Sequence, residues 1–156
     1  MKQIRSALVA LSMSFSPVAP ALAGSGSGAV NDVTGTALSG YDAVSYFESG
    51  GPIQGIPKYA ATYQGLGYLF ASAEHRDAFN ADPNRYAPQY GGFCAIAAAN
   101  GLKVTIDPHA YTVIDKKLYV NHSMVANEAF AKDPAGNIGK ADKNWPEVQK
   151  IDGPTR

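Results

Sequence analysis

One local pattern occurs twice in this chain, and it limits the folds open to it. Lys58 to Tyr63 alternates as a half-buried strand does, and Gln64-Gly65-Leu66-Gly67 supplies the glycines of a tight turn. Tyr68 to Phe70 returns as a second strand, Ser72 stands where a helix is capped, and Asp82-Pro83 ends that helix. The same order runs from Tyr111 to Pro134. Tyr111 to Ile114 and Lys117 to Asn121 form a hairpin about Asp115-Lys116, Ser123 caps a helix over Met124 to Lys132, and Asp133-Pro134 stops it. Phe79 answers to Phe130, and Asp82-Pro83 to Asp133-Pro134. Duplication and two uses of one local solution both account for the match. Either way the expected class is α+β, with two β-hairpins packed against several short helices.

Other segments are read from their local chemistry. Gly40 to Phe47 places Tyr41, Val44, Tyr46 and Phe47 near helical spacing, with Asp42 able to cap the turn. Arg85 to Tyr90 reads as a loop, and Gly92 to Asn100 as a small helix ending at Gly101. Lys103 to Ile106 reads as a short strand ended by Asp107-Pro108. Ile138 to Asn144 reads as a last polar helix, packed down by Trp145.

The first residues read as an address. Lys2 and Arg5 precede the apolar run Ala7 to Phe15, and Ala21-Leu22-Ala23 forms a small-x-small cleavage signal. Residues 1–23 are therefore expected to be a secretory signal peptide, and the protein is expected in the periplasm of a bacterium. The run is much shorter than the ~20 residues of a membrane-spanning helix. Residues 24–39 read as a flexible leader, 40–146 as the domain and 147–156 as a tail. The 13 basic and 13 acidic residues balance. Removing the signal leaves a slightly acidic chain without the basic stripe that a nucleic-acid partner requires.

The span from Gly40 to about Pro146 resembles the YHS domain, and specifically the exported single-domain YHS proteins of bacteria. The metal-handling pattern opens Asp-Pro-Val-Cys and continues Tyr-x-Phe-Cys-Ser-x-x-Cys-x-x-x-Phe. Here the opening is Asp42-Ala43-Val44-Ser45, and the continuation is Tyr68-Leu69-Phe70-Ala71-Ser72-Ala73-Glu74-His75-Arg76-Asp77-Ala78-Phe79. The Asp-Pro-x-x-Tyr ending is Asp82-Pro83-Asn84-Arg85-Tyr86. The resemblance implies a small α+β module of the treble-clef-like metal-binding group. Ser45 and Ala71 stand at positions of thiolates, and His75 stands at that of the last cysteine.

The candidate chemistry rests on few residues. Cys94 is the one cysteine, which rules out an internal disulfide and leaves a buried thiol, an intermolecular pair, or a thiol kept for metal or redox chemistry. At a helix start its thiolate is expected to be stabilised. Its alternative is a small buried hydrophobe beside Phe93 and Ile96. Cys94 with His75 makes a soft pair suited to copper before zinc, and His122 is the third candidate ligand. His109 lies in a loop. The alternative for each histidine is an exposed residue at a helix start or loop. A thiol nucleophile with His75 as base and Asp77 as orienter has no motif behind it, and no Cys-x-x-Cys pair exists. Binding a transition-metal ion for sequestration or delivery, not catalysis, is the expected function, and another periplasmic protein is a candidate partner. A protein-interaction or small-ligand module lined by Tyr41, Tyr46, Tyr63, Tyr68, Tyr86 and Tyr90 is the other reading.

Overall fold

The structure is a computed structural model that describes residues 35–155. The α+β expectation holds. Strands β1 (Ile56–Tyr63) and β2 (Leu66–Phe70) pair antiparallel, as do β3 (Asp107–Ile114) and β4 (Lys117–Asn121), in two separate two-stranded sheets. Helices α1 (Ala73–Ala81) and α2 (Pro83–Tyr86) follow the first hairpin, and α3 (Ala95–Ala99) precedes the second. Helices α4 (Met124–Lys132) and α5 (Pro134–Val148) complete the order. Residues 1–34, which contain the signal peptide and most of the leader read from the sequence, lie outside the described residues.

The two halves correspond far beyond the pattern legible in sequence. Each hairpin turns on two residues of positive φ, Gln64-Gly65 and Asp115-Lys116, the handedness that matches strand twist in two-residue hairpins. Each β-ladder slips at the same place, between Ile56 and Ala60 and between Asp107 and Tyr111. Ser72 accepts from the His75 N–H and Ser123 from the Ala126 N–H, both at 3.2 Å. Upstream, short 3-10 turns at Ala37–Gly40 and Gln89–Gly92 both pass through left-handed residues, Leu38-Ser39 and Tyr90-Gly91. Asp42 N–H then donates to Ile53 O, as Cys94 N–H donates to Val104 O. Asp42 and Cys94 thus occupy one position in two copies of a single unit.

The units share their interior. Phe79 lies against Tyr68, Phe70 and Tyr63 at ring separations of 4.6, 5.1 and 6.0 Å. Leu118 and Val120 of β4 belong to this same core. A second core gathers Tyr90, Tyr119, Phe130 and the alanines of α3 against α5, with Trp145 at its edge. Ala95, Ala98 and Ala99 of α3 lie in this core with Ala141 of α5, and Asn144 reaches across to the carbonyls of Ala98 and Ala99.

Several boundaries differ from the sequence reading. The leader does not extend to Ser39, because Ala37 and Leu38 are fully buried in the first core. Leu38 holds a left-handed φ of 55°, a conformation costly for a side chain with a Cβ and retained because its burial requires it. Lys103 to Ile106 forms no strand, and Asp107-Pro108 opens β3 instead of ending one. Proline is tolerated there because it stands at the strand's start. Asp133-Pro134 stops α4 and also starts α5, with the Asp133 carboxylate accepting from the Gly136 N–H. Residues 147–156 are not a free tail. Val148 is buried, and Lys103 Nζ donates to the carbonyls of Gln149 and Ile151 while Thr155 bonds Lys103 from its own backbone.

Tyr46 is 3 % exposed and stands edge-on to Tyr111, yet its hydroxyl has no partner among the described residues. A buried hydroxyl without a partner costs about 1–3 kcal/mol. Tyr46→Phe is therefore expected to raise stability by about 1 kcal/mol, read as an increased urea midpoint at constant m. A lower midpoint would mean that the hydroxyl is satisfied.

Candidate functional site

The Asp42 carboxylate is the hub of the first unit. It lies after a backbone turn that buries it completely, and a buried carboxylate requires donors. Oδ1 accepts from the Val44 N–H at 2.9 Å, and Oδ2 accepts from the Ala71 N–H at 2.8 Å. The third donor is the imidazole of His75, whose Nδ1 lies 2.6 Å from Oδ2. Ser72 caps α1, so His75 falls in its first turn and is delivered to the end of β2 beside Asp42. The hydroxyl of Ser45 donates to Asp42 O at 2.7 Å and accepts from the Ile53 N–H. Ser45, Ala71 and His75 therefore all touch Asp42.

The other imidazole nitrogen faces outward. His75 Nε2 lies 3.2 Å from Glu48 Oε1, and the His75 side chain is 20 % exposed. A carboxylate only accepts, so the Asp42 contact fixes the proton of His75 on Nδ1. A neutral imidazole would then turn a lone pair on Nε2 towards the Glu48 carboxylate. That approach is favourable only with a cation between the atoms, either a proton on Nε2 or a metal ion.

Cys94 is enclosed in the second unit at 1 % exposure. Its sulfur lies 3.7 Å from Asn121 Oδ1 and accepts from the His122 N–H at 3.3 Å. Burial pushes the thiol up from its ordinary range, against the opposing pull of the Ala97, His122 and Ile96 backbone N–H groups. This is the reverse of the thiolate stabilisation expected from a helix start. Helix α3 has only five residues, and its aligned peptide dipoles do not outweigh desolvation. Asn121 Oδ1 also accepts from the Ile96 N–H, the bond that corresponds to Val44 N–H on Asp42. At the position of His75 the second unit has Ala126.

The sequence-derived ligands are thus distributed over two units. His75 pairs with Asp42 and Glu48, while Cys94 pairs with Asn121 and the backbone of His122, and the two share no hydrogen-bond partner. The His122 ring is exposed and bonds Thr105 O through Nδ1 at 3.1 Å. His109 lies in β3 and not in a loop, with Tyr41 packed edge-on at 5.3 Å. Asp77 pairs with its neighbour Arg76, so the carboxylate that orients His75 is Asp42 instead. Among the described residues no group of three or more His, Cys, Asp or Glu side chains is arranged to hold a metal ion.

Asp42 and Glu48 were the residues that pattern reading missed as partners of His75. They precede it by 33 and 27 positions, and no periodicity connects them. The sequence marks Asp42 only as a turn cap, and its bond from the Val44 N–H is such a contact. Compared with known proteins, the chain matches no family model, no curated protein and no solved structure significantly.

Proposed function

We propose that this chain is a YHS-type module that binds a divalent transition-metal ion through His75 Nε2 and Glu48. The role is sequestration or delivery in the periplasm, without catalysis. The observation that carries the reading is the 3.2 Å approach of Nε2 to Glu48 Oε1 while Nδ1 is held by a buried carboxylate. Two atoms each about 2.0–2.1 Å from one ion, at right or tetrahedral angles, lie roughly 2.9–3.4 Å apart. The 3.2 Å separation of the pair falls within that range. A carboxylate behind a ligating imidazole also orients the ring and raises its basicity.

This ligand set revises the one drawn from the sequence. Cys94 and His122 have other partners, so the soft N/S pair is replaced by an N/O pair. Copper still precedes zinc, now because Cu²⁺ exceeds Zn²⁺ in affinity at most N/O sites. Two protein ligands leave the remaining positions to water or to a partner's side chain. Such a site exchanges its ion, as delivery requires.

Calorimetric titration of the full chain with copper(II) and zinc tests the proposal. One ion per chain is expected, with binding abolished in His75→Ala, weakened on the order of tenfold in Glu48→Gln, and unchanged in Cys94→Ala. Binding that survives His75→Ala, or no binding to the parent chain, would reject it.

A further inference from the structure

A second site lies away from His75. Between the tip of the first hairpin, helix α2 and helix α5 is a cleft of about 300 Å³. This is at the lower limit of small-ligand pockets. Its walls include Tyr63, Asn84, Gln89, Tyr90, Asp142 and Trp145. The indole of Trp145 is held by Tyr90 at 5.8 Å and by Phe93 at 6.4 Å, so its flat surface is fixed by the second core.

The polar groups around that surface are oriented but only partly used. Tyr63 donates to Asn84 Oδ1 at 2.7 Å, which leaves the Asn84 amide protons to be donated elsewhere. Gln64 Nε2 donates to the Tyr63 hydroxyl, which leaves its carbonyl as an acceptor. Tyr90 donates to Asp142 Oδ1 at 2.9 Å, and its burial and this carboxylate hold the hydroxyl protonated, well above the usual phenol range. Asp142 has no ion-pair partner among the described residues, and neither does the Gln89 amide have a hydrogen-bond partner there.

The combination selects a class of ligand. A carboxylate disfavours an anion, and three amides disfavour an apolar molecule, whose entry would strip them of water. Closely spaced donors and acceptors beside an aromatic plane fit a ligand with hydroxyls around its rim and C–H groups on its face. We infer that this cleft binds a neutral saccharide, with a sugar ring stacked near Trp145 and its hydroxyls shared among Asp142, Asn84 and Gln89. The site is separate from the proposed metal ligands and uses none of their residues.

Trp145 is the only tryptophan in the chain, so its fluorescence reports this cleft. The full chain would be titrated with glucose, galactose, mannose, N-acetylglucosamine, maltose and cellobiose, and separately with tetramethylammonium. A saturable change with at least one sugar is expected. Its apparent Kd should rise about tenfold or more in Gln89→Ala and in Asp142→Asn, the loss of roughly one good hydrogen bond to each. His75→Ala should leave it unchanged, so failure of the metal reading does not touch this result. A weak circular-dichroism comparison of the variants would confirm that they remain folded. No saturable change with any of the six sugars overturns the inference. So does a response to tetramethylammonium alone, which would make the aromatic wall a cation site, or a sugar response indifferent to both cleft substitutions.

Discussion

Asp42→Ala is expected to lose about 3–5 kcal/mol of unfolding free energy, the range found when one partner of a buried charged network is removed. The carboxylate joins the turn at Val44, the end of β2 at Ala71 and the first turn of α1 at His75. Without it, two backbone N–H groups and an imidazole lose their acceptor at a fully buried position. Urea unfolding followed by circular dichroism measures the loss. Asp42→Asn should fall between the two, because one carbonyl oxygen and an amide cannot accept all three donors. Cys94→Ala, at the corresponding place in the second unit, should cost much less, since Asn121 already accepts from Ile96. A loss below about 1 kcal/mol in Asp42→Ala would show that water replaces the carboxylate.

Phe79→Ala should be comparably severe. The ring is 1 % exposed and touches three other aromatic rings, and its removal leaves a cavity in the first core. Such truncations cost about 3–5 kcal/mol. Phe130→Ala in the second core is expected to match it, since that ring is fully buried beside Tyr119 at 5.3 Å. Because Leu118 and Val120 lie in the first core, each variant should still unfold in one transition, coincident by tyrosine absorbance and by circular dichroism. Two separated transitions would mean that the units are independent.

How much of this was legible depended on the range of the physics involved. Ser72 and Ser123 are local caps, Gln64-Gly65 is a local turn, and Asp82-Pro83 is a local stop. Each could be read from a few adjacent residues, and each has its structural counterpart. Leu38 could not, because nothing near it in sequence signals burial, and the residues that enclose it come from elsewhere in the chain. The same is true of Asp42 and Glu48 on either side of His75. Cys94 shows the opposite error. Its position before a helix suggested an activated thiol, but the helix is one short turn and the surroundings are dry.

The extension of the repeat upstream was hidden for another reason. Leu38-Ser39-Gly40-Tyr41-Asp42 and Tyr90-Gly91-Gly92-Phe93-Cys94 share backbone shape and few side chains. The two units have this shape in common, but the hub is a carboxylate with its imidazole in the first and a thiol with an amide in the second.

The sharing of Leu118 and Val120 also bears on how the chain is made. A ribosome finishes the first hairpin and α1 long before β4 emerges, but the core around Phe70 and Phe79 still lacks two of its side chains at that time. The early product therefore cannot complete its interior until β4 has been synthesised. Interlocking the two halves thus makes closure of the first core wait for side chains of the second unit.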